Sequence, residues 1–417
     1  MNDILVSRSI SHLSRRQVLH TALASASVLS VPSILRAQPA KPIKVGFIAP
    51  MTGPYGADAQ LELLGAQLAV KQFNDAGGLN GRMAQLLARD CRLNAGEGAT
   101  RALELIETDK VDFIAGPFGP AAFSINGVIK SKGVPYTPIA NSDSINNASE
   151  WSKYLFHEGL TPTATAGALA RHVVAKGAKR IVMLTAEYVY GQEMAAGFRA
   201  AAEAQGAQII GEVKHALGAT DYSTLFPRIL ALKPDLLVIN NFGRDQQIAL
   251  KQAGEFGLKT KMKLAAPLMV HTARMVDGHK VFEGVTGCIG YYWGLEDRIA
   301  SAKTFNEGFR ALSKGVNPSD YAALGFASVV SPLNAIKKAG SSAADAVVET
   351  MGKMRYDNYK GPQHYRACDH QSVQSVLVVE SKDAAKSKNK DDVFRILSIE
   401  EGEEARLKSC QSLGFKN

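Results

Sequence analysis

Six short segments hold the residues best suited to gripping a small molecule: Met51 to Gly56, Gly116 to Ala122, Ala140 to Ser144, Glu187 to Gln192, Asn240 to Arg244 and Pro267 to His271. They mix aromatic rings, small polar side chains and glycine, a combination that walls a cleft and offers hydrogen bonds to a carboxylate or carbonyl. It is poor equipment for making or breaking covalent bonds. Gly116-Pro117-Phe118-Gly119-Pro120 resembles a phosphate loop only loosely, because no lysine and hydroxyl pair follows it. The chain has no His-Glu-x-x-His zinc helix, no Gly-x-Ser-x-Gly elbow and no dinucleotide fingerprint after its first strand. His157 and Glu158 are neighbours in an extended segment, so they point to opposite faces and cannot act as a joint acid and base. His364 and His370 flank Cys368, but one cysteine with two loop histidines is a weak metal set, and a structural role is expected. Without a nucleophile, base or metal set, no enzymatic activity and no cofactor are expected.

These segments must be held by something, and the pattern around them says what. Short apolar runs alternate with helical spacing from Lys41 onward. Ile43 to Ala49 reads as a strand, Leu61 to Phe73 as a helix ended by Gly77-Gly78, and Leu86 to Asp90 as the next strand. The unit repeats with a helix over Leu103 to Thr108, a strand Val111 to Ala115, a helix near Ile125 to Ser131 and a strand Val134 to Ile139. After His157 the theme restarts with a helix Ala164 to Lys176 and strands at Arg180 to Leu184, Gln208 to Ile210, Asp235 to Ile239 and Val285 to Ile289. Such alternation implies parallel sheets with right-handed crossovers, and the six segments then fall beyond the carboxyl ends of strands, where open α/β sheets bind ligands. Helical runs at Ala300 to Lys314 and Tyr321 to Ala339 are too long to close the second sheet alone, so the chain is expected to return to the first. The charged stretch Lys382 to Asp392 reads as a solvated loop.

At 417 residues the chain suits two domains. The formal charge is +9, yet the basic residues are scattered and no Arg/Lys stripe interleaves with aromatics, which excludes a nucleic-acid partner. Ser14-Arg15-Arg16-Gln17-Val18-Leu19 precedes an apolar stretch rich in alanine and serine that runs to Leu35, which reads as a twin-arginine export signal cleaved near Ala37, with an ordinary secretory signal as the alternative. Either one predicts a periplasmic protein, and removing residues 1–37 leaves +6. Of four cysteines, Cys368 and Cys410 are the preferred disulfide in an oxidising compartment, with four buried thiols as the alternative.

Three stretches carry a family resemblance: Lys44 to Pro54, Gly65 to Val70, and Asn74-Asp75-Ala76-Gly77-Gly78-Leu79-Asn80-Gly81-Arg82. They are similar to the opening of branched-chain amino-acid-type binding proteins of ABC transporters. Similarity continues through Tyr190-Gly191, Ala253 to Leu258 and Gly361-Pro362. The resemblance implies a type I periplasmic-binding fold, in which two doubly wound parallel-sheet α/β lobes are joined by a three-crossover hinge. Residues 42–159 with 291–356 would form lobe 1, and 160–290 with 357–417 lobe 2, with crossovers near Gly159, Tyr291 and Tyr356. It further implies a small-molecule ligand between the lobes, membrane permease subunits as partners, and a monomer.

Carried over by position, the resemblance places Tyr55 and Phe118 in the lobe 1 wall, Ala140 and Ser142 in the loop that holds a ligand carboxylate, and Tyr190 and Phe242 in the lobe 2 wall. Leu268 is expected beside them. Two departures matter. Phe118-Gly119-Pro120-Ala121 stands where amino-acid binders carry a hydroxyl, and Ala266-Pro267-Leu268-Met269 stands where they carry an acid for the ligand ammonium. Burying an unpaired ammonium costs several kcal/mol. The expected ligand is therefore a small carboxylate without an α-amino group, an aromatic acid in preference to an amino acid.

Overall fold

A strand buried on both faces needs apolar residues at nearly every position, and Ile43–Ala49 (β1) has them. Ile43, Val45 and Phe47 pack into one apolar cluster, while Ile48 packs into another on the opposite face. The computed structural model describes residues 41–416; the export signal expected over residues 1–37, with its cleavage point, lies outside the described residues. After β1 come helix α1 (Gly56–Asp75), β2 (Ala84–Asp90), α2 (Ala95–Glu104), β3 (Phe113–Ala115), α3 (Pro120–Lys132) and β4 (Tyr136–Thr137). The four strands form an all-parallel sheet in the order β2-β1-β3-β4.

The second lobe runs through α4 (Pro162–Ala175), β5 (Arg180–Ala186), α5 (Val189–Glu203), β6 (Gln208–His215), α6 (Phe226–Ala231), β7 (Leu236–Asn240), α7 (Gly243–Glu255), β8 (Lys263–Ala266), α8 (His271–Phe282) and β9 (Thr286–Ile289). The chain then returns to the first lobe with α9 (Ala300–Leu312), α10 (Asp320–Ala339) and α11 (Ala344–Lys353). Strands β10 (Arg355–Tyr356), β11 (Gln363–Tyr365) and β12 (Ser372–Val373) make a small antiparallel sheet. Two last strands, β13 (Val376–Ser381) and β14 (Phe394–Glu400), complete the second sheet in the order β14-β13-β9-β8-β7-β5-β6.

Beginnings of helices differ from the sequence reading because polar caps, not apolar spacing, set them. Asn94 accepts from the Glu97 N–H and so starts α2 well ahead of Leu103. The β13–β14 hairpin is a larger departure: the second sheet is mixed, with these two strands antiparallel on the β9 edge. Lys382 to Asp392 joins the two strands as a largely exposed loop, in line with the expected solvated stretch, and is pinned at its two ends. Lys382 Nζ lies 2.6 Å from Asp392 Oδ1, and both side chains are largely buried.

Helix α10 packs lengthwise on α1 because both carry glycine at the crossing. A Cβ at Gly65 would collide with the Ala322 carbonyl oxygen, and one at Gly325 with that of Glu62. This close approach brings the amino-terminal turns of α1 and α10 together at the mouth of the cleft. The three chain crossings are tied by side chains that satisfy crossover carbonyls. Lys360 Nζ donates to the Gly290 and Ser375 carbonyls, Gln371 Nε2 to Gly159, and Gln374 Nε2 to Glu158. Cys368 and Cys410 form a disulfide with Cα atoms 6.3 Å apart, while Cys91 and Cys288 are buried free thiols.

Candidate ligand-binding site

Five of the seven residues named from sequence come together around a cavity of about 300 Å³ at the junction of the lobes: Tyr55, Phe118, Tyr190, Phe242 and Leu268. Local structure explains the convergence. Tyr55 is the residue before α1, Phe118 lies between β3 and α3, and Tyr190 and Phe242 mark the starts of α5 and α7. Each therefore leaves the carboxyl end of a parallel strand, where loops diverge. The rings touch. Tyr55 meets Phe118 edge-on at 5.6 Å between centroids, and Phe118 meets Tyr321 at 5.4 Å. In the other lobe Tyr190 packs on Phe242 at 5.5 Å and on Tyr188 at 5.8 Å. Tyr55 and Phe242 stack at 6.3 Å across the junction.

Ala140 and Ser142 do not line the cavity. The Ala140 carbonyl is taken by His157 Nε2, whose ring also meets Asn146 Oδ1 at 2.7 Å. Ser142 Oγ donates to Glu193 Oε2 at 3.1 Å, and the backbone N–H groups of Asp143 and Ser144 and the Ser144 hydroxyl donate to the same carboxylate. The loop is indeed built to receive a carboxylate. What it receives is the protein's own, from α5 of the other lobe.

Sequence reasoning passed over Asp320 and Tyr321, which line the cavity from the first turn of α10. That helix follows another helix and not a strand, so the search of strand ends did not reach it. A signal was present: Ser319 precedes Asp320 and caps the helix by accepting from the Ala322 N–H. Near Asp320 lies Asp58 of α1, with Glu62 one turn further along that helix. Glu62 is fully buried and neither of its carboxyl oxygens has a hydrogen-bond partner, nor has Asp58 Oδ1. Burial, reinforced by Asp58, pushes the Asp320 carboxyl up to about 7 and holds Glu62 well above the usual range. Burial likewise raises Asp58, partly offset by a hydrogen bond from Thr272. Among the described residues, no lysine, arginine or histidine lines the cavity.

The other polar candidates find structural duties. His157 is fully buried and burial lowers it to about 4, whereas Glu158 turns away to the hydroxyls of Tyr356 and Tyr365. His364 pairs with Glu404 and His370 stacks on Phe156. Among the described residues, no group of three or more His, Cys, Asp or Glu could hold a metal ion, and no helix is long and apolar enough to cross a membrane.

Two α/β lobes with an aromatic cavity between them, and hydrogen-bonding groups but no reactive set in its wall, define a receptor for a small molecule. The chain belongs to the periplasmic binding protein family, whose profile matches residues 42–388. It is 24% identical over 189 residues to Leu/Ile/Val-binding protein homolog 6 of Brucella abortus, a match that covers 45% of this chain and 47%, about half, of that relative. A crystal structure of a periplasmic binding protein from Burkholderia mallei superimposes with a TM-score of 0.78 at 28% identity, over 89% of this chain and 98% of the other. The solute-binding protein of an ABC transporter from Rhodopseudomonas palustris BisB5, solved with 3,4-dihydroxybenzoic acid, superimposes with a TM-score of 0.74 at 23% identity, over 86% and 97%. That last likeness is one of fold.

Proposed function

We propose that the chain is the substrate-binding component of an ABC importer, exported to the periplasm by its twin-arginine leader, acting as a monomer and presenting its solute to membrane permease subunits. The solute is a small organic acid of the aromatic or amino-acid kind, held between the lobes. The observation that carries this reading is the cavity of about 300 Å³ walled by rings from both lobes. A solute touching Tyr55 and Phe118 on one side and Tyr190 and Phe242 on the other stabilises the state in which the lobes meet more than one in which they part. Permease subunits would read that state. The Leu/Ile/Val-binding relative and the neighbour solved with a dihydroxybenzoate name the two solute classes to try.

A thermal-shift panel of amino acids, aromatic acids and amides on the mature protein tests the reading. At about 100 times its Kd a bound solute adds ~2.7 kcal/mol of stability, which a melting curve resolves. The expected result is a clear shift from a ring-bearing or branched solute, lost on Phe242→Ala. Shifts only from large, strongly hydrophilic solutes would sink it.

A further inference from the structure

The wall of the cavity is rich in acceptors and lacks a cation. Asp320 is 6% exposed, and its Oδ1 accepts from the His271 backbone N–H at 3.2 Å. Asn141, also in the wall, donates through Nδ2 to the Leu160 carbonyl at 2.7 Å. That bond fixes the amide orientation and leaves Oδ1 as a buried acceptor without a partner. Aromatic rings of Tyr55, Phe118, Tyr190, Phe242 and Tyr321 line the same cavity.

The groups facing Asp320 deepen the asymmetry. From α1 comes Asp58, while Glu62 and Tyr55 lie by Tyr321 beside it. From its own helix comes Tyr321, and from α8 comes His271, whose ring burial keeps neutral, its pKa lowered to about 4. None of them is positive near neutral pH. A buried carboxylate is tolerated when a cation pairs with it and is otherwise costly. Here the Asp58 and Asp320 carboxyls come close where α1 packs on α10, and among the described residues no cation lines the cavity wall beside them. The opposite arrangement, a donor set that would hold an anion, exists at Ser142 to Ser144 and is already filled by Glu193.

We propose that Asp320 is a specificity-determining residue: it receives a protonated nitrogen of the solute inside the aromatic cavity. It thus supplies, from the other lobe, the ammonium anchor that Ala266 to Met269 lacks. The inference rests on the reading of this cavity as the solute site, and it reverses the ligand preference drawn from sequence. Asn141 Oδ1 offers a second acceptor to the same nitrogen.

Calorimetry on two matched pairs tests it: L-phenylalanine against 3-phenylpropanoate, and L-leucine against 4-methylpentanoate. Within each pair the molecules differ only by the ammonium group. Above neutral pH the ammonium-bearing member is expected to bind at least ~10-fold more tightly, in keeping with a paired buried charge. Its affinity should climb by up to about tenfold per pH unit below pH 7 and level off above, because the Asp320 carboxyl, raised to about 7, must lose its proton to accept a cation. Asp320→Asn should abolish the preference within each pair. The amide keeps an acceptor for the His271 N–H, so a merely capping role predicts unchanged selectivity. Equal or tighter binding of the acid lacking nitrogen, or a preference that survives Asp320→Asn, overturns the role of Asp320 and leaves the solute site standing. If no member of either pair binds, the reading of the cavity as a solute site falls, and this inference with it.

Discussion

The lobes meet through two polar regions that treat their hydrogen-bonding groups in opposite ways. At Ser142 to Ser144, hydroxyls and backbone N–H groups converge on Glu193, and the set is complete within the chain. In the cavity wall Asn141 Oδ1 is a buried acceptor without a partner, and the Asp320 carboxyl is met by backbone N–H groups and by no cation. A complete set fixes geometry and asks for nothing more. An incomplete, buried set is costly and so marks where another molecule is needed. The contrast assigns the first region to holding the lobes together and the second to choosing what lies between them.

The largest expected effect comes from the cavity wall. Tyr190→Ala or Phe242→Ala should cost about 2 kcal/mol or more of solute affinity, roughly 30-fold, as for a buried aromatic anchor. The cost should differ between ring-bearing and branched solutes. Calorimetry on the solute that gives the best thermal shift measures it, and a loss under about threefold would move the site elsewhere. Glu193→Ala should act differently. It removes charge-assisted hydrogen bonds worth about 1.5–3 kcal/mol, and it should weaken every solute by one common factor, because it shifts the balance of lobe arrangements and touches no ligand. A change in the ranking of solutes on Glu193→Ala would erase the distinction between the regions.

Proton linkage gives a subtler comparison through one raised carboxyl from each region, Asp143 and Asp320. Burial lifts Asp143 to about 6, opposed by hydrogen bonds from Thr163 and reinforced by Glu193; burial with Asp58 lifts Asp320 to about 7. In the unfolded chain both release their protons near pH 4, so between there and the raised values the folded chain holds more protons. Their contribution to stability is therefore greatest below about pH 4 and declines as pH rises, to about pH 6 for Asp143 and about pH 7 for Asp320. In melts of the ligand-free protein, Asp320→Asn should flatten the upper part of that decline, and a wild-type slope in the variant would argue against a shifted Asp320. The smallest effect is expected from Ser142→Ala, which removes one of several bonds to Glu193. It should lower affinity for all solutes alike by about 1 kcal/mol or less.

Much of the architecture was open to reading because it is periodic. Apolar runs such as Ile181 to Leu184 and Leu236 to Ile239 can only be strands buried on both faces, and their alternation with helices leaves few topologies. The same regularity marked the loops after the strands, and the family resemblance singled out Tyr55, Tyr190 and Phe242 within them. The β13–β14 hairpin escaped notice because its strands add to an existing sheet edge and break no pattern of their own. Ser142, expected to hold a solute carboxylate, instead binds the chain's own Glu193. Glu193, its occupant, lies in the middle of a helix where a glutamate has no distinguishing neighbours.

From the order of residue types alone follow most of the elements, the two-lobed alternating design and the loops that border the cavity, because local propensity and spacing act over a few turns of chain; the aromatic wall within those loops came from the family resemblance. Which polar groups face the cavity was decided in three dimensions. Asp320 stands more than 250 residues from Asp58, and the two come close where Gly65 and Gly325 let their helices pack to backbone contact. Charge acts through space, so the sign of the field inside the cavity is a property of that packing and of nothing shorter.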